Sequence, residues 1–219
     1  MNRNGELRSF FLFFIFMTQA STTELEAVNS ILASIGEAPV NTLSGTLPID
    51  ATQAKNTLKE VSREIQAAGW HFNSFYDYTL SQDGDNKIPL ADNIMRVDLN
   101  VYKYSPSSYD VIKRGSFLFN KKDNSFVFDK ALDAKVILFL PFTELPENAR
   151  RYITIRAARI FQDRLLGANT LHGFQLVDEQ NALAILKQEE ADTADHNIFN
   201  NHDSYYIINR QDDTSSNLT

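Results

Sequence analysis

Five arginines, Arg150, Arg151, Arg156, Arg159 and Arg164, recur within one helix-like stretch of this chain. Guanidinium forks suit phosphate oxygens, so such a cluster offers contact with a nucleic-acid backbone. The stretch that follows is acidic, with Asp178, Glu179, Glu189, Glu190, Asp192 and Asp195. Pairing between the two stretches, inside a bundle or between subunits, accounts for both charge sets without DNA and is the expected arrangement. The histidines His71, His172, His196 and His202 are scattered, and the last two lack metal-site spacing on any regular element. Glu189 and Glu190 are adjacent, so on a helix they point in different directions and make no facing acid–base pair. Cysteine is absent, which excludes disulfides, thiolate metal sites and thiol nucleophiles. The sequence holds no phosphate-binding loop, dinucleotide fingerprint, zinc-protease helix or nucleophile elbow. No catalytic residue, cofactor or metal is expected.

At 219 residues the chain is long enough for one large domain or two small ones. A net charge of −7 argues against a dedicated nucleic-acid binder, which would carry a basic face.

The elements that must position these charges are helical at both ends. Leu25, Val28, Ile31, Leu32 and Ile35 share one face of a first helix, with Thr23 and Glu26 spaced as a capping box. Gly36 is placed to close that helix and Pro39 to prevent its resumption. A second helix is expected over Ala51–Ala68, capped by Asp50 and closed by Gly69, with Ala54, Leu58, Val61 and Ile65 inward. The Gly69-Trp70-His71-Phe72-Asn73 run resembles a stacking platform, but a Trp between helix and sheet more often anchors a junction, and Trp70 and Phe72 are assigned that role.

The period then changes. Phe75–Leu80, Ile94–Tyr104, Tyr109–Lys113, Phe117–Asn120, Phe126–Phe128 and Lys135–Leu140 read as short strands, with Val111–Phe128 as a meander and Val136–Phe142 as a buried central strand. Pro146 opens a third helix that Gly167 stops, and a fourth covers Leu171 to about Ala194 with Phe174, Leu176, Leu183 and Leu186 inward. The expected class is α+β: an antiparallel helical bundle with an inserted antiparallel β domain and an extended C-terminal tail. Its parts are an N-terminal extension (1–20), a helical hairpin (21–71), the β domain (72–145), the second part of the helical domain (146–195) and the tail (196–219).

Both ends leave alternatives open. Arg3 and Arg8 precede the apolar run Phe10–Phe16, which is too short to span a bilayer. It reads as a signal-like segment, or residues 1–16 precede a true start at Met17; the second reading is favoured because MTQASTTELEAV is a natural beginning. In the tail, Tyr205, Tyr206, Ile207 and Ile208 form one apolar island among Asn, Asp and Ser. The island either docks on a partner or folds back on its own subunit.

Three blocks in order, Leu25–Leu43, Arg63–Phe75 (REIQAAGWHFNSF) and Arg151–Ala168 (RYITIRAARIFQDRLLGA), resemble the tail tubular protein A family of bacteriophages with short, non-contractile tails. The resemblance spans roughly residues 17 to 195. It implies a structural virion protein, made in the host cytoplasm and located in the tail, forming a homo-oligomeric ring of twelve subunits between the portal protein and the tail nozzle protein. DNA would pass through the channel without being read, and no membrane would be involved. Arg150, Arg151, Arg156, Arg159 and Tyr205–Ile208 are then the candidate subunit or portal contacts. Gly36, Pro39, Gly69, Trp70, Phe72 and Gly167 are the structural junctions. The rival classes are a tail-borne polysaccharide hydrolase, which would need facing carboxylates in a cleft, and a secreted binding protein if the N-terminal run is a signal.

Overall fold

The computed structural model describes residues 21–100, 103–104, 109–167 and 169–193. The expectations for residues 1–20 and for the 196–219 tail with Tyr205–Ile208 lie outside the described residues, as do those for the side chains of His172 and Phe174. Four helices, α1 (Glu24–Ala33), α2 (Ile49–Ala67), α3 (Glu147–Leu165) and α4 (Asn169–Thr193), bracket five strands. The strands are β1 (Ser74–Leu80), β2 (Ile94–Leu99), β3 (Val111–Arg114), β4 (Phe117–Asn120) and β5 (Leu132–Leu138). The chain is α+β, as its periodicity indicates.

The capping box at α1 is present in both directions: Thr23 accepts from the Glu26 backbone, and the Glu26 carboxylate accepts from Thr23. The helix is closed by bonds from Glu37 N–H to the Leu32 carbonyl and from Gly36 N–H to that of Ala33, with Gly36 in the left-handed region. At α2 the cap differs from expectation. Pro48 occupies the N-cap, its carbonyl takes the first helical bond from Thr52, and Asp50 lies inside the first turn. Proline supplies a fixed φ but no side-chain acceptor, and the negative charge of Asp50 in the first turn complements the exposed N–H groups instead.

Val28, Ile31, Leu58, Val61, Tyr152, Ile153, Phe161 and Leu186 pack one helical core. A second core, among the strands, holds Leu80, Ile88, Val97, Leu118, Leu132 and Val136. Strands pair antiparallel in the order β1-β5-β2, and β3 pairs with β4 in a separate hairpin through Gly115. The apolar stretch thus does form the central strand, but as Leu132–Leu138, starting earlier and stopping short of Pro141. Phe126–Phe128 is not a strand. It touches the 86–88 stretch through one bridge, Lys87 with Val127, before the chain bends away at Asp129 and Lys130. The expected Ile94–Tyr104 strand ends at Leu99, where Asn100 turns the chain by accepting from the Lys103 and Tyr104 backbones.

Gly69 ends α2 at φ +81, and a Cβ there would lie 2.4 Å from the buried Ile137 Cδ1 of β5. Gly36 and Gly167 also have positive φ but face open space. Gly69→Ala should therefore destabilise by about 2–3 kcal/mol, combining overpacking with backbone strain, against about 1 kcal/mol for Gly36→Ala. Urea unfolding of the two variants measures the difference, and equal losses would mean that the β5 contact carries no strain.

Candidate assembly site

Helix α2 is joined to the sheet by buried amides. Gln66 is fully buried, and its side chain exchanges two bonds with the Leu140 main chain: Nε2 donates to the carbonyl at 3.0 Å and Oε1 accepts from N–H at 2.7 Å. Nε2 also reaches Ser62 Oγ. Asn73, fully buried too, donates through Nδ2 to the carbonyls of Gln66 and Leu138, both at 2.9 Å, while its Oδ1 accepts from Trp70 N–H. Trp70 donates its indole N–H to the Ile65 carbonyl and stacks on Phe72, both rings packing against the helical core. Every nitrogen and oxygen of the Gln66 and Asn73 amides has an oriented partner, which turns a desolvation cost into a geometric constraint, while the neighbouring Ser74 Oγ is buried without one. Gly69, Trp70 and Phe72, expected as junction residues, lie between the end of α2 and the start of β1, beside these amides. Gln66 and Asn73 received no role from sequence reasoning, although both stand in the block REIQAAGWHFNSF.

The second feature is a charged seam over α2, α3 and α4. Glu179, nearly buried on α4, accepts from Arg156 at 2.9 Å and from Arg159. That bond raises the Arg159 guanidinium above its usual range. Arg156 also reaches Glu64 at 2.6 Å, and Arg164 holds Glu60 through both terminal nitrogens. Bonding to Arg164 keeps the Glu60 carboxyl low. Because Glu179 takes an inward place on α4, the buried arc runs through Glu179, Ala182 and Leu186, and Leu176, expected inward, is exposed at its side.

The four candidate contact arginines therefore separate. Arg150 is buried and donates to the carbonyls of Leu145, Thr22 and Thr143, tying the start of α1 to that of α3. Arg156, through its terminal nitrogens, and Arg159 bind acids inside the subunit, and Arg151 alone of the four is exposed. Pro39 is exposed beyond the α1 closure. Large apolar side chains also face outward at Ile49, Tyr76, Val177 and Leu166. Among the described residues no group of three His, Asp or Glu side chains is placed to hold a metal, and no helix is long and apolar enough to cross a membrane. In the β region the Tyr109 hydroxyl donates to Asp129, which pushes it up to about 12 and holds Asp129 low. The pair lies beside a wide open hollow with Lys130 over the Tyr109 ring, and gives no acid–base couple near neutral pH.

The family model for tail tubular proteins matches residues 25–196, taking in all four helices and all five strands. The chain is also similar to a protein named tail tubular protein A from Klebsiella phage KP34. The two are 25% identical over 167 residues, covering 75% of this chain and 86% of that protein.

Removing one partner of a mostly buried charge cluster leaves the others desolvated and unpaired. Glu179→Ala should lower subunit stability by about 3 kcal/mol, and Gln66→Ala, which strands the Leu140 N–H and carbonyl, by about 2–4 kcal/mol. Thermal unfolding checks both, and a loss under about 0.5 kcal/mol, typical of surface sites, would place either residue outside the framework.

Proposed function

We propose a role for this chain within a tail: it belongs to the tail tubular protein family, which makes it a structural component of the virion tail and not an enzyme. Membership sets aside the hydrolase reading. Within that frame the chain forms a homo-oligomeric ring of twelve subunits, joining the portal protein to the tail nozzle protein and enclosing part of the DNA ejection channel. The helical parts (21–71 and 146–195) build the ring, the β part (72–145) extends outward or toward the nozzle, and the tail (196–219) reaches the portal through Tyr205–Ile208. The observation that carries this reading is the family match across both the helices and the strands.

Physical features support it. The charged seam pairs Arg156 and Arg159 within the subunit, so these residues and Arg150 stiffen the helical wall from inside, and of the four candidate arginines Arg151 is the one left for a neighbour. Exposed Ile49, Val177 and Leu166 supply apolar area of the kind that subunit contacts cover. A net charge of −7 keeps DNA phosphates from adhering to a channel wall.

Electron microscopy and native mass of the purified chain should show closed rings that bind portal-bearing, tailless capsids. Arg151→Glu should weaken ring formation, more so at low salt, with its melting temperature unchanged. Arg156→Glu and Arg159→Glu should lower the melting temperature first. A chain that stays monomeric and ignores capsids would end the adaptor reading.

A further inference from the structure

A cleft of about 280 Å3 lies between α2 and the segment after β5. Leu58, Phe139, Pro141 and Phe142 give it apolar walls, and Lys59, Arg63 and Glu24 give it charge. Lys59 and Arg63 stand one turn apart on the exposed side of α2, so they work as a pair. The acids beside them are already engaged, Glu60 with Arg164 and Glu64 with Arg156. Among the described residues, neither Lys59 nor Arg63 has an ion-pair partner. Two uncommitted cations beside aromatic walls, on a chain of net charge −7, call for an acidic segment with an apolar centre. The cleft is sized for a side chain or two and is small for a drug-sized ligand.

The chain contains such a segment. Tyr205-Tyr206-Ile207-Ile208 is flanked by Asp203 before and by Asp212 and Asp213 after, with one cation, Arg210, opposite in charge to the cleft's Glu24. The reach is sufficient. Thr193, the last residue of α4, lines a hollow with His71, Phe72 and Pro146, and Pro146 is close along the chain to Phe142. At about 1.5 Å per helical residue, Arg63 and Lys59 lie roughly 6–12 Å along α2 from its end at Ala67, four residues before His71. The residues from 194 to 204 span up to about 35 Å when extended.

We propose that in the free subunit Asp203–Asp213 occupies this cleft of its own chain, an aromatic or isoleucine side chain between Phe139 and Phe142 and the aspartates at Lys59 and Arg63. The proposal stands apart from the ring reading, because it concerns the subunit before assembly.

The test uses the full chain at a dilution where it is monomeric. Benzoylphenylalanine in place of Tyr206 should, on irradiation, crosslink within one chain to peptides 58–63 or 139–142. Adducts elsewhere in the subunit, or only at twice the chain mass, would overturn the proposal, the latter in favour of a neighbour's segment. Independently, Lys59→Glu with Arg63→Glu should raise chymotryptic cleavage at Tyr205 and Tyr206 about tenfold, and Asp212→Lys with Asp213→Lys should restore protection. Both cations are exposed, so an unchanged circular dichroism spectrum verifies the fold. A cleavage rate that ignores the charge reversal would also overturn the proposal.

Discussion

The pair of bonds between the Gln66 amide and the Leu140 main chain is the constraint on which the rest of this subunit depends. It joins the end of α2 to the exit from the central strand, across 74 residues of sequence. Asn73 repeats the device seven residues on, bonding to Leu138 and back to Gln66. Between them Gly69 lets β5 approach closely enough for these amides to reach. A fully buried primary amide without partners would oppose folding, whereas one with every bond made selects a single arrangement of helix and sheet. Two separate apolar cores are thereby held in one fixed relation.

The helical parts were legible because their apolar spacing and punctuation agree. The capping box, Gly36, Gly69 and Gly167 stop or start helices close to where residue type demands. The β region was less legible. Its strands are four to seven residues long, and whether Phe126–Phe128 pairs depends on what lies beside it, which no local pattern states. Glu179 and Gln66 show the other gap. Polarity marks both as surface residues, and only the convergence of Arg156 and Arg159, or of the Leu140 backbone, explains their burial. The Arg-rich and acidic helices signalled pairing correctly, but their sequences leave open whether it falls within a subunit or between two.

The resolution of that choice shapes the whole surface. With Glu60, Glu64 and Glu179 consumed inside the subunit, the outer face of the bundle shows exposed acids at Glu37, Asp178 and Asp192 beside the cations Lys59, Arg63 and Arg151, among scattered apolar residues. Internal pairs of this kind fix the relative rotation of α2, α3 and α4, so a partner meets a surface of settled shape. The subunit then spends little ordering entropy when it is built into a larger object.

The Gln66 and Asn73 amides address main-chain atoms on their strand side, and main-chain atoms do not change when a codon does. The two bonds therefore make no demand on the side chains at positions 138 and 140, which answer only to the cores they pack against, Leu138 among the strands and Leu140 among the helices. The amides themselves are constrained, since a shorter or longer side chain would miss both bonds. A lineage of such proteins can diverge widely in its strands, adapting that part to new partners, while the angle between helices and sheet is inherited unchanged.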